Sequence, residues 1–240
     1  IRENDERTTE ACRLIATQQV DEKQVHVVKE KPFFRAVEET LKIGLLGSRW
    51  LIALDADILL FPDAIPKMIE KAAMIKEEFF FYQGAILDKL FLGYRPAGPH
   101  LYNCKYIEQA LGLMHGFEHD PRPESFIRSR MEEQGRPFVQ DKTIFGIHDF
   151  EQSYSDVYKK TFRHAMKHGS YIKKLDSHYK KFSPIDLDFA VASLALSSAL
   201  KYEGTQTQSE NELNLLAAGA LETLELEEKD KFVKAAHTDV

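Results

Sequence analysis

The segment Trp50–Pro62, WLIALDADILLFP, constrains this chain more than any other. Its apolar run is far short of the ~20 residues that span a bilayer, and Asp55 and Asp57 interrupt it. A short continuous apolar stretch of this kind predicts a strand buried on both faces, in a sheet covered by helices. Ligands of an open α/β sheet bind at the carboxyl edge, where such a strand runs out. Asp55 and Asp57 stand at that point. Two apart on an extended chain, they are expected to point to one side while Ala56 points away. Neighbouring carboxylates repel unless a proton or cation lies between them. Mg²⁺ and Mn²⁺ accept such oxygen ligands and fill their remaining positions with water and substrate phosphates. One aspartate capping the next turn, with the other solvated, would also account for a bare D-x-D. The buried strand before the pair and the Pro62-led helix after it favour the metal site.

The flanking pattern places this strand in a larger unit. Thr8–Glu10 cap a helix to about Gln19, and the β-branched QVHVV of Gln24–Val28 predicts a strand. Phe33–Leu46 is an amphipathic helix entered through Pro32, and Pro62–Asp63 open another through about Lys76. Helix, strand, helix, strand, helix predicts an α/β fold with a mostly parallel, doubly wound sheet and helices on both faces. Beyond it, Glu78–Leu87 reads as a strand, Tyr94–His100 as a Gly/Pro loop, Asn103–Leu111 and Glu124–Gly135 as helices, with short extended pieces around Phe138 and Ile144. From Phe150 the pattern turns helical: Phe150–His168, Tyr171–Phe182, Ile185–Tyr202 and Glu210–Val233. The expected organisation is a core over 1–150 and a helical extension over 151–240.

Charge narrows the function classes. With 32 Lys+Arg against 38 Asp+Glu, the net charge of −6 argues against a nucleic-acid partner, which requires a concentrated basic surface. Cys12 and Cys104 are too few for a disulfide framework, and neither has metal-ligand spacing, which favours a reducing, cytoplasmic setting. No segment reads as a signal peptide or membrane span. His115/His119 and His164/His168 have the i, i+4 spacing of paired ligands but lack an acidic partner, and read as surface histidines.

In its order of motifs the chain resembles the nucleotide-sugar glycosyltransferases of GT-A fold, family 2 above all, across roughly residues 1–150. LIALDADILLFPDAI resembles their DxD strand, and IRENDERTTEACRLIATQQ the end of the first strand and the first helix. QVHVVKEKP is similar to the second strand, and PESFIRSRMEEQGRP to the segment that carries the general base. FGIHDFEQ lies where several such enzymes place a metal-binding histidine. The chain starts at Ile1 rather than methionine, and this start is read as the tail of a first strand.

The resemblance implies a sugar transfer from a nucleoside-diphosphate sugar to a carbohydrate or lipid-linked acceptor, with Mn²⁺ or Mg²⁺ as cofactor. Asp57 would bind the metal directly; Asp55 would contact the ribose, or the metal through water. His148 would be the third protein contact, with Asp149 a weaker candidate. Ile1, Arg2, Glu3, Lys29 and Glu30 would lie against the nucleotide. Lys29-Glu30 replaces the family's uracil-reading aspartate, which leaves the donor base open. Glu124-Ser125 stands in place of the family's Glu-Asp pair, so the base that takes the acceptor proton is Glu124, a nearby acid such as Asp120 or Glu118, or absent in a retaining enzyme. A carboxylate in the first turn of a helix also needs no catalytic reason. Arg35 and Arg49 could meet phosphates, although helix-surface positions account for both. Gly84 and Tyr94–Tyr102 would build the acceptor side.

Two other functions remain open at this level. A haloacid-dehalogenase phosphatase also opens on a strand and D-x-D, but Ile58-Leu59 replaces its Gly-Thr and some fifty residues precede the motif. The second alternative is a catalytically silent module that binds a sugar nucleotide or carbohydrate. Ile185–Leu200, apolar around much of its circumference, suits burial against the core or a homodimer interface. Lys159/Lys160, Lys173/Lys174 and Lys180/Lys181 suit a peripheral contact with the inner face of a membrane, where many relatives meet lipid-linked acceptors.

Overall fold

A computed structural model describes residues 1–116, 122–204 and 209–230, with the side chains of 169–173 left out. The chain divides into two units. One comprises Ile1–Asp88 and Gly93–Phe150; the other comprises Lys89–Leu92 and the described residues from Glu151 onward.

In the first unit, strands β1 (Trp50–Ala53), β2 (Ile58–Leu60), β3 (Phe81–Asp88), β4 (Gly93–Asn103) and β5 (Phe138–His148) form one sheet in the order β1-β4-β3-β5-β2. Only β3 and β5 run parallel; β1 with β4, β3 with β4 and β2 with β5 are antiparallel. The α/β class holds, but the sheet is mixed and mostly antiparallel where helix–strand alternation predicts a mostly parallel one. The reason is the route of the chain: β3 returns directly into β4 after four residues, and no crossover helix intervenes. Parallel pairing persists around Arg2, which bridges Val28 on one side and Asp55 on the other.

Register shifts divide the sheet into two halves. On the near side, Phe81–Gln83 face His100–Tyr102 and Phe138–Gln140; on the far side, Ala85–Asp88 face Gly93–Pro96 and Ile144–His148. β1 borders the first half, and β2 the second. The segment 54–57, between β1 and β2, is the joint between the halves, so the DxD lies where the sheet bends rather than on a flat edge.

Alternation along the strands sends side chains to both faces, and helices cover each. Cys12 and Ala16 of α1 (Thr9–Thr17) and Ile65, Met68 and Ala72 of α3 (Ala64–Met74) pack with Leu54, Tyr82, Ile86, Leu101 and Phe145. On the opposite face, α2 (Phe33–Ile43), α4 (Ile107–Met114) and α5 (Pro123–Glu133) pack Val37, Leu41, Ile107, Ile127 and Met131 against Ala53, Phe81 and Tyr102. Helix entry follows local chemistry: Pro32 precedes α2 in an extended conformation, and Pro123 occupies the first turn of α5, where its missing N–H costs nothing.

Three local expectations are corrected. Tyr94–His100 is strand, not loop: Gly93–Pro96 has a neighbour on one side only and Pro99 falls in the irregular stretch between Pro96 and His100, both positions where a strand tolerates proline. The pieces around Phe138 and Ile144 are one eleven-residue strand. Gln24–Val28 is not a strand; Glu22–Gln24 forms a 3-10 turn capped by Asp21, and Val28 alone pairs.

The second unit consists of α6 (Tyr154–Ile172), interrupted at His168, α7 (Asp176–Phe182), α8 (Leu187–Lys201) and α9 (Glu210–Thr223). Asp186 caps α8 through the Asp188 N–H, and Ser209 caps α9 through that of Glu212. Phe189, Val191, Ala192, Ala195, Leu196 and Ala199 of α8 are all buried in the unit's own core. Leu90 is buried there too, and Tyr179 donates its hydroxyl to the Leu90 carbonyl at 2.9 Å. α9 ends ten residues before the expected Val233, which lies outside the described residues. Among the described residues no helix is long and apolar enough to cross a membrane. Lys159 pairs with Asp156 and Glu210 and Lys180 with Asp176, so part of the expected basic surface is neutralised.

Gly84 sits at the bend because β5 crosses too closely for any side chain. A Cβ there would overlap the Phe145 ring and lie 2.5 Å from the Thr143 carbonyl oxygen. Its expected acceptor-side role thus has a packing explanation. Gly84→Ala should lower stability by about 1–3 kcal/mol, measured as a fall in the urea midpoint. Gly93→Ala, with open space around it, should stay within about 0.5 kcal/mol of wild type.

Candidate metal centre

The chain does not remain extended through the DxD. The Ile58 N–H donates to the Asp55 carbonyl at 3.0 Å, which closes a turn over Asp55–Ile58. The extended geometry on which a shared side was expected therefore does not hold through the motif. Asp55 is still on the strand bridge and Asp57 is in the turn, so their carboxylates go to different partners.

Asp57 joins the end of β5. His148 Nε2 lies 3.4 Å from Asp57 Oδ2, and the Asp149 N–H donates to the Asp57 carbonyl at 3.1 Å. Asp149 takes a left-handed backbone (φ 59°), which an aspartate tolerates better than most residues, and its Oδ2 comes to 3.0 Å from His148 Nδ1. One ligand atom each from Asp57, His148 and Asp149 lie within 4.8 Å of one another. A further carboxylate, Asp88 at the end of β3, places Oδ2 at 3.0 Å from His148 Nδ1 and accepts from Arg95 Nε at 2.7 Å.

The donor set of this assembly suits a cation. Three carboxylates, all buried, face one imidazole and one guanidinium. Burial works against an imidazolium, but Asp149, Asp57 and Asp88 outweigh it and raise His148 well above the usual histidine range. Two carboxylate oxygens and an imidazole nitrogen suit a divalent ion such as Mn²⁺, and the nitrogen weights the set toward Mn²⁺ over Mg²⁺.

Asp55 is held elsewhere. Arg2 Nη2 pairs with its Oδ1 at 2.8 Å, and Arg2 Nη1 pairs with Glu124 Oε1 at 2.6 Å. The same Glu124 oxygen accepts from the Tyr102 hydroxyl at 2.9 Å and from His100 Nδ1 at 3.0 Å. With the Gln83 amide donating to His100 Nε2 at 2.8 Å, a chain Gln83–His100–Glu124–Arg2–Asp55 runs from β3 to the DxD. Burial disfavours ionised Glu124, but Arg2 and His100 prevail and hold its carboxyl far below the usual carboxylate range. A carboxylate so held is a weak proton acceptor and a firm anchor for Arg2. Partial burial raises Asp55, with Arg2 opposing the rise and Asp57 and Glu124 adding to it.

The remaining candidates divide. Glu3 and Lys29 pair at 2.9 Å across the Arg2–Val28 bridge, beside the Asp55 ion pair, while Glu30 is exposed. Arg35 pairs with Glu38 on the surface of α2, and Arg49 lies over the Trp50 ring at 4.8 Å. Asp120, Glu118 and His119 lie outside the described residues. A groove of about 430 Å³ is lined by Trp50, Phe79, Asn103 and Lys105, at the end of β1 away from the DxD. Sequence reading singled out neither Asp88 nor Gln83, and it placed Arg95, His100 and Tyr102 only within the Tyr94–Tyr102 stretch expected on the acceptor side. A signal existed for Asp88, since AILD, like LIALD and FGIHD, is an apolar run that ends in aspartate.

The chain matches no protein-family model, and no curated protein matches it either.

Glu124→Gln should destabilise the protein at pH 7 by about 1–3 kcal/mol, because buried Arg2 loses a charged partner. The folded-state affinity of Glu124 for protons is lowered, so its stabilisation is complete above the ordinary value of 4.5 and is lost as pH falls below it. In urea titrations from pH 7 to pH 3, the gap between the two proteins should therefore hold down to about pH 4.5 and begin to narrow below it.

Proposed function

We propose that this chain is a metal-dependent glycosyltransferase of the GT-A type. It would move sugar from a nucleoside-diphosphate donor to a carbohydrate or lipid-linked acceptor on the cytoplasmic side of a membrane, in assembly of a surface polysaccharide or glycoconjugate. The observation that carries this reading is the convergence of Asp57, between β1 and β2, with His148 and Asp149 at the end of β5, in an α/β unit with helices on both faces. The parallel bridges of Arg2 to Val28 and Asp55 support it further, since they set the start of the chain beside the DxD.

Asp57, His148 and Asp149 would hold Mn²⁺ or Mg²⁺, which supplies Lewis-acid neutralisation of charge on the departing diphosphate. Asp55 would orient the nucleotide, fixed in place by Arg2; Glu3 and Lys29 border the same side. Glu124 keeps Arg2 in place. It is not assigned the acceptor proton, because one of its oxygens serves three donors and its basicity is low. That engagement of Glu124 favours one second reading, a module that binds the donor nucleotide without turnover.

A thermal-shift series with UDP, GDP, CDP and ADP, each with and without Mn²⁺, tests the donor site. One nucleotide should raise Tm only when Mn²⁺ is present, by an increment corresponding to about 2.7 kcal/mol at a hundredfold excess over Kd, and Asp57→Ala should abolish the rise. Absence of any shift in the wild type would refute the reading. Donor hydrolysis or transfer by a protein that passes this test separates enzyme from silent module.

A further inference from the structure

The cation site explains why Asp57, His148 and Asp149 converge, but not why a fourth group, Asp88 with Arg95, is built around the same histidine. We propose that Asp88, clamped by Arg95, is the positioning residue that directs His148 toward a divalent cation: it accepts a hydrogen bond from Nδ1–H and leaves Nε2 turned to Asp57. This inference rests on the metal-centre reading above.

A neutral imidazole carries one proton and can offer a metal only its bare nitrogen, so the acceptor on the other nitrogen decides which face it presents. The backbone places that acceptor. Asp88 stands opposite His148 in the β3–β5 pairing and opposite Gly93 in the β3–β4 pairing. Asp88 Oδ2 lies 3.0 Å from His148 Nδ1, while Nε2 faces Asp57 Oδ2 at 3.4 Å. Arg95, opposite Ile86, donates Nε to the same Asp88 oxygen at 2.7 Å. Arg95 Nη2 approaches Nδ1 at 3.4 Å, but a guanidinium has no lone pair to accept the ring proton. Asp149 Oδ2 also reaches Nδ1 at 3.0 Å, yet Asp149 is itself one of the three ligands. Once its carboxylate turns to a cation, Asp88 is the acceptor that remains. The arrangement is the carboxylate–histidine–metal relation in which an outer carboxylate fixes the tautomer and orientation of the ligand.

Two measurements test this without recourse to activity. In protein labelled with ¹⁵N-histidine and loaded with Zn²⁺ as a diamagnetic probe, the His148 signal, assigned with His148→Gln, should show a protonated Nδ1 and a metal-bound Nε2. Mn²⁺ titrations followed by electron paramagnetic resonance should show Asp57→Asn without binding, Asp88→Asn weakened about tenfold or more, and Arg95→Gln weakened in the same direction. Metal on Nδ1 would overturn the proposal. So would an Asp88→Asn protein that binds Mn²⁺ as wild type does while Asp57→Asn does not, an outcome that leaves the metal centre itself standing. A wild type that binds neither ion would remove the metal-centre reading and this inference with it. If Asp88→Asn fails to fold by urea titration, the tautomer of the wild type decides alone.

Discussion

The arrangement of the first unit depends on one buried guanidinium. Arg2 is 4% exposed at its side chain, and a charge so buried is tolerable only with close, hydrogen-bonded partners. Its two carboxylates come from distant points, Asp55 at the end of β1 and Glu124 at the start of α5. Its backbone also pairs with Leu54 and Ala56, and its neighbours Ile1 and Glu3 with Val28. One residue therefore fixes the start of the chain, the exit of β1 and the entry of α5 relative to one another. It also divides the DxD, since Asp55 Oδ1 pairs with Arg2 while Asp57 lies with His148.

Asp57 reaches that group because the chain turns at once. The Asp55–Ile58 turn sends β2 to the far half of the sheet, where it pairs with the end of β5 and so with His148. The bend at Gln83–Ala85 brings the far half of β3, ending in Asp88, to the same place. Gly84 and Gly146 are the small residues this geometry needs. A Cβ on Gly146 would lie 2.5 Å from the Leu59 carbonyl oxygen, so the pairing that positions His148 and Asp57 requires glycine there.

Much of this was legible in the sequence. The 3.6-residue period found the helices, and a strand before Asp55 was read from composition, but β1 over Trp50–Ala53 is a half-buried edge strand rather than one buried on both faces. Asp57 was found as a candidate from the D-x-D at a strand end, and His148 through a resemblance in motif order. What local pattern could not supply was pairing. GYRPAGPH carries the composition of a loop, and only the one-sided neighbourhood of Gly93–Pro96 and the irregular stretch before His100 make it a strand. The D-x-D spacing implies a shared side only for an extended chain, and nothing in DADIL shows that a turn closes there. Leu90 belongs to the helical unit through Tyr179, a partner eighty-nine residues away that no window of sequence contains.

Two buried acidic clusters among the described residues differ in their partners. In the helical unit, Asp188 is fully buried, yet Lys89 Nζ lies 2.5 Å and Lys229 Nζ 2.6 Å from its oxygens. Lys89 also holds Asp186 at 2.7 Å. Two acids meet two ammonium groups, and the cluster is closed. Around His148, three acids meet Arg95 and a histidine that must itself be protonated to contribute. A divalent ion could take the place of that proton among the carboxylates. Burial and a concentration of aspartates are common to both clusters; what sets the second apart is a histidine nitrogen among the carboxylates, a mixed donor set that a divalent ion can use.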